Sequence, residues 1–289
     1  MATSQLIRNI IGDKTLLISS HSDNKVISLQ NNNLSSIGIM SARGISSNDD
    51  LIAIASIDSI KIYNKKTGVF AGTINSYSPA IHEIKFIDNN KIIACDPINS
   101  SLLQLSLGSS SIIWTVPGVD SINADYRSLI NGVCTENDLP KYVTVLGISN
   151  IPNGWRNEAE QSRGALIDVQ NNNIVLNNLN FPHSPTIDKD SVWFLNSGLN
   201  QVCKWTPGDS DFTVVSTVHG WSRGLLVLDE YLLVGVSQGR ASSMSNVISH
   251  HLDEPGIAVI NKSTGEQLEF ESIDVQEIFD MLIVDSDLS

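Results

Sequence analysis

Six short polar pairs stand out for the chemistry they could do: Arg43-Gly44, His82-Glu83, Asn131-Gly132, His183-Ser184, Arg223-Gly224 and Gln276-Glu277. Each opens an apolar run, and successive pairs lie roughly forty to fifty residues apart. Brought together, His82 and His183 offer two imidazoles that can share acid and base roles near neutral pH, with Glu83 and Glu277 as carboxylate partners. Arg43 and Arg223, with Arg156, offer planar forks that fit a carboxylate or phosphate. Asn131 and Ser184 add hydrogen-bonding groups, Arg240 adds a cation, and Trp155 adds a flat face for stacking. The expected catalytic residues are His82, His183, Glu83 and Glu277. The expected substrate-binding residues are Arg43, Asn131, Trp155, Arg156, Ser184, Arg223 and Arg240.

Such pairs need a scaffold that gathers distant residues. The sequence reads as short apolar runs closed by Asn, Asp, Gly or Ser, among them 51–56, 92–95, 143–147, 165–169, 192–195 and 232–236. Helical periodicity is nearly absent, and only 157–163 reads as a helical turn. The segments 62–68 and 259–265 are nearly the same hairpin, and 29–33, 168–173 and 204–209 occupy equivalent places. Turns of this kind need the positive φ that Asn and Gly adopt cheaply. Hairpins and polar pairs recur at the period of a propeller blade. The expected fold is all-β: a six-bladed β-propeller over residues 1–289, each pair opening an innermost strand. The C-terminal strand is expected to complete the blade begun by strands 15–20 and 25–29, although Arg8-Asn9 competes as an opening pair. A seven-bladed ring or a β-sandwich is the alternative.

Within that register the pairs converge at one mouth of a central channel, and the loops bearing Trp155-Arg156 and Arg240 fold over it. A structural use competes with each role. Arg and Glu near an axis can neutralise each other, and Gly after Arg supplies backbone room. Ser184 reads as a turn residue, since no Gly-x-Ser-x-Gly elbow is present. No resident cofactor is expected: no phosphate-binding glycine loop occurs. A divalent metal held by His82, His183 and Glu277 is the alternative, without a local ligand motif behind it. His250-His251 reads as part of a solvated loop, with a lid or weak metal site as the other reading. His21 and His219 read as ordinary turn residues.

The net charge of −13 disfavours nucleic acid and anionic membranes as partners. With 41% hydrophobic and 17% charged residues, a folded core is expected. No run reaches the ~18–20 apolar residues of a membrane span. The N-terminus carries no signal-peptide pattern. Cys95, Cys134 and Cys203 match no zinc spacing and read as buried thiols of a reducing cytoplasm.

From Tyr126 to Val284 the chain resembles a bacterial β-propeller family of unknown function, DUF4915. The resemblance is carried by Ile130-Asn131-Gly132, by 141–147, by Asn153-Gly154-Trp155-Arg156 and by Pro182-His183-Ser184-Pro185. It continues through 193–198, Ser222-Arg223-Gly224-Leu225, 234–237 with Arg240, and Glu277-Ile278-Phe279-Asp280. Upstream only Ile81-His82-Glu83 echoes it. Where the family usually has a histidine two residues before its Asn-Gly, this chain has Leu129. The resemblance implies the propeller fold and no particular reaction. The functional expectation is a small anionic metabolite or modified peptide bound at the channel mouth, with acid/base chemistry of hydrolase, lyase or isomerase type left open. A non-catalytic protein- or peptide-binding propeller, or an accessory protein of a biosynthetic cluster, is the alternative. The expected state is a monomer or small homo-oligomer.

Overall fold

In the computed structural model the described residues are 4–31, 33–76, 78–119, 126–156, 163–238, 254–285 and 287–288. They form six four-stranded antiparallel sheets arranged as the blades of a propeller. The innermost strands of blades 1 to 6 are Ile45–Ser47, Ile84–Asp88, Ile130–Glu136, Pro182–Asp188, Trp221–Val227 and Asp280–Val284. Six blades replace the seven-bladed and sandwich alternatives. The sixth closes the ring as expected. Its inner strand comes from the C-terminal part of the chain, and it pairs with Thr15–Ser20 in the register Thr15↔Val284 to Ser19↔Asp280.

The apolar runs are continuous rather than alternating because both faces of a blade are covered by its neighbours. Side chains still alternate between faces with the strand period of two. Ile52 and Ile54 pack towards blade 6, and Ala53 and Ala55 towards blade 2. Likewise Trp193 and Leu195 face blade 5, while Val192 and Phe194 face blade 3. The core is therefore a set of seams between blades. The outermost strands, such as Asn33–Gly38, are mostly exposed.

One element departs from expectation. Gln5–Ile11 is an α-helix, α1, capped by the Ser4 hydroxyl, which accepts from the Ile7 amide. Arg8-Asn9 thus lies in a helix and opens no blade. Ile7 and Ile11, four residues apart on one face, close the seam between blades 5 and 6. No described helix is long and apolar enough to cross a membrane. The three cysteines are free and buried. Residues 157–162 and 239–253, which include Arg240 and His250-His251, lie outside the described residues.

Candidate functional site: the mouth of the channel

Five of the six polar pairs coincide with β-bulges; Gln276-Glu277 instead lies just ahead of its inner strand, Asp280–Val284. In blade 1 the Arg43 amide donates to the Ala55 carbonyl while the Ala55 amide donates to Gly44, so two residues face one. In blade 2, His82 and Glu83 face Cys95 in the same way. Register shifts fall between Ile130 and Gly132 in blade 3, His183 and Thr186 in blade 4, and Arg223 and Leu225 in blade 5. A bulge inserts one residue and re-aims its neighbours. Here it lets consecutive residues serve the mouth and the blade-to-blade packing. Gly44 illustrates the second use: a Cβ there would lie 2.6 Å from the His82 carbonyl oxygen and 2.7 Å from the Glu83 Cα.

The mouth holds a partly open cavity of about 240 Å³. Among the described residues its charged and titratable lining is His21, Arg43, His82, Tyr126, Arg223 and Glu277. Phe279 is the platform beneath them. The Arg223 guanidinium sits 5.0 Å above its ring, and the His82 ring meets it edge-on at 5.3 Å. Arg223 Nη1 lies 2.5 Å from Glu277 Oε1. Ser22 Oγ donates to Glu277 Oε2 at 2.8 Å, and His21 Nδ1 stands 3.6 Å from the same oxygen. Arg43 donates to the Ile81 carbonyl at 3.1 Å, and its Nη2 lies 3.2 Å from His21 Nε2. The facing wall is apolar: Leu129, Leu146, Trp155, Phe181 and Trp221 form one buried cluster with Tyr126 against it.

The two expected catalytic histidines have different surroundings. His82 lines the cavity. Its pKa is held well below the usual value by burial, and then by Arg43 and Arg223. The ring is thus neutral at neutral pH, one nitrogen a donor and the other an acceptor. His183 is not among the cavity-lining side chains. Its Nδ1 lies 2.8 Å from the Phe181 carbonyl and 2.9 Å from Ser197 Oγ, whose own proton goes to the Ser222 carbonyl at 2.7 Å. Those acceptors place the proton on Nδ1 and leave Nε2 buried and, among the described residues, without a hydrogen-bond partner. Burial and Arg223 lower its pKa well below normal.

The remaining expected residues divide. Arg43, Trp155, Arg223 and Glu277 line the cavity. Glu83 lies away from it, 2.7 Å from Lys85. Burial, with Asp280 nearby, pushes its carboxyl up to about 7 against the pull of Lys85. Asn131 is committed between blades: it donates to the Pro182 carbonyl and accepts from Thr144, both at 2.8 Å. Ser184 Oγ accepts from the Gly224 amide at 3.1 Å and ties blade 4 to blade 5. Arg156 is placed only as backbone, at the end of the short turn Gly154–Arg156. Among the described residues no group of three His, Cys, Asp or Glu side chains is arranged to hold a metal.

His21 corrects the sequence reading. It stands in a turn, as expected, but that turn follows the second strand of blade 6 and so opens at the mouth. Loops in this position were assigned to the mouth for Trp155 and Arg240, and the same rule applied to blade 6 finds His21. Tyr126, Phe181, Trp221 and Phe279 were also missed. They stand at or just before the starts of inner strands, where an aromatic residue looks like ordinary core.

The fold is shared with solved structures of low sequence similarity. A chain from "Crystal structure of Nidogen/Laminin Complex" aligns with a TM-score of 0.66 and 11% identity, covering 95% of this chain and 99% of that one. A protein of unknown function from Bacteroides caccae aligns with a TM-score of 0.65 and 11% identity, covering 95% and 100%. At this identity the likeness is one of fold alone. No curated protein matches the chain in sequence. The model of the family described as "Domain of unknown function (DUF4915)" matches residues 13–287, which is nearly the whole ring and well beyond the half that the motifs had suggested. The chain belongs to the DUF4915 family.

Proposed function

We propose that the channel mouth binds a small molecule bearing an anionic group, with His82 as the residue placed to exchange a proton with it. One observation carries this reading: Arg43 and Arg223 both line one partly open cavity in a chain whose net charge is −13. An acidic surface repels anions at long range, so a local concentration of guanidinium groups is a specific feature. Desolvated guanidinium forks favour carboxylates and phosphates over neutral ligands. The neutral imidazole of His82 supplies a donor and an acceptor on the same wall.

Thermal-shift measurements on the purified protein test this, using a panel of small carboxylates, phosphates, neutral sugars and organic cations. Anionic compounds are expected to raise the melting temperature, because a ligand that binds only the folded state stabilises it by mass action. Arg43→Gln should remove that response. Stabilisation by sugars or cations to the same extent, or an unchanged response in Arg43→Gln, would overturn the reading.

A further inference from the structure

Two residues of the cavity wall hold their backbone in a conformation that their side chains oppose. Tyr126 has φ +53° and Phe181 has φ +50°. Bulky L-residues avoid this left-handed region because Cβ crowds the following carbonyl. The other twelve described non-glycine residues with positive φ are Asn, Ser, Asp or Lys, and the short polar types among them tolerate it in turns. The two aromatic exceptions stand before different blades and yet line the same cavity. Phe181 also precedes Pro182, which by itself favours extended backbone in its neighbour. Such strain persists only where the surroundings enforce it, and it gathers at functional sites. We infer that Tyr126 and Phe181 are ligand-contacting residues that select a molecule with an apolar group beside its anionic one. This rests on the reading of the mouth as an anion site.

The backbone bonds at these two positions do not call for an aromatic side chain. The Tyr126 amide donates to the Ile98 carbonyl at 3.3 Å. The Phe181 carbonyl accepts from the Ser197 amide at 3.3 Å and lies 2.8 Å from His183 Nδ1, so His183 helps to hold the strained turn. Asn or Gly would make the same bonds with less strain, as Asn24, Asn153 and Asn200 do in other turns. What only the aromatic types supply is the rings. Phe181 packs on Trp221 with ring centroids 5.5 Å apart, and Tyr126 lies half-buried against the same cluster. Because the cavity they line is partly open, part of this aromatic face meets whatever occupies it. An apolar group laid there gains from burial and from edge or offset ring contacts. The cost in the backbone is thus matched by a gain that only a bound molecule realises.

The test is isothermal titration calorimetry on the intact protein with two matched pairs of probes: phenylacetate with acetate, and phenyl phosphate with inorganic phosphate. Within whichever pair binds, the wild type should prefer the phenyl compound by about tenfold or more. Tyr126→Asn and Tyr126→Ala both remove the ring, but only Asn relieves the backbone. Both variants should lose most of the preference and keep the affinity for the small anion. Tyr126→Asn should also melt about 2 °C or more above Tyr126→Ala. Phe181→Leu keeps an apolar side chain in place and should lower the preference as well. A wild type that binds both members of a pair equally, or an unchanged preference in Tyr126→Asn, overturns the inference and leaves the anion site standing. Equal melting temperatures of the Asn and Ala variants overturn the strain at Tyr126, and an unchanged preference in Phe181→Leu overturns the role of Phe181. No heat from any of the four probes at millimolar concentration overturns the anion site and this inference with it.

Discussion

At the scale of single residues, the channel holds its charges in two groups with different work. Arg43, His82, Arg223 and Glu277 face the cavity, while Glu83 and Lys85 form a close pair away from it, with Asp280 near enough to act on both. Asp280 also accepts from the Ile45 amide at 2.9 Å and so links blade 6 to blade 1. The raised pKa of Glu83 has a consequence for stability. A carboxyl that keeps its proton to about pH 7 when folded, but releases it near 4.5 when unfolded, favours the folded chain at low pH. That contribution is complete below about 4.5 and is lost as pH rises through about 7. The depressed histidines act with the opposite sign: their contribution is present above the ordinary histidine value and is lost as pH falls. Glu83→Gln stays neutral at every pH. Between pH 4.5 and 7 its stability relative to the wild type should therefore climb, by at most about 1.4 kcal/mol per pH unit. Chemical denaturation across that range reads this directly, and a constant difference would show that Glu83 titrates normally. The charged part of the cavity lining, His21 apart, was legible in the sequence, because arginine, histidine and glutamate in recurrent pairs are conspicuous. The sequence does not distinguish a pair member that faces the cavity from one that faces the next blade. His82 and Glu83 are adjacent and differ in this way, as only the bulge decides.

At the scale of elements, the bulge at the head of an inner strand is the device that builds the mouth. It brings blades close enough that Gly44 has no room for a side chain against the His82 carbonyl and the Glu83 Cα. These neighbours are backbone and cannot swing away. Gly44→Ala should therefore cost about 1–3 kcal/mol, as overpacking does. It should also weaken any ligand that the mouth binds, because Arg43 and His82 flank the contact. A melting temperature equal to that of the wild type would mean that the blades separate freely there. The strands themselves were legible from turn residues and run length. Helix α1 was not, since seven residues are too few for a periodic pattern to declare itself. Its signals were present in Ser4 as a cap and in the spacing of Ile7 and Ile11, but they are weak against a β-rich background. Trp155 was legible, but the rest of the aromatic wall was hidden for another reason: an aromatic residue at or just before a strand start reads as core, and Phe181 and Trp221 are indeed buried while still lining the cavity.

For the whole molecule, ring closure is the decisive feature. Strand Asp280–Val284 pairs along Thr15–Ser20, and its Met281 joins Leu16 and Ile18 in the seam that α1 caps. A chain ending at Phe279 would leave a long strand edge and an open seam, the arrangement that invites association between chains. Such a truncation is expected to aggregate or to lose its cooperative melt. A soluble, monodisperse and sharply melting product would show that the other blades hold the ring without it. The same closure also sets a timetable. Ser19 and Asp280, partners in the finished blade, lie 261 residues apart in the chain. At roughly 5–20 residues per second, the strand Thr15–Ser20 waits tens of seconds for Asp280–Val284. Glu277 and Phe279 are made only just ahead of that strand, so a nascent chain with five blades already shaped still has no floor to its cavity. The proposed site is thus complete only after the ring closes, and until then the early strand edge stays unpaired.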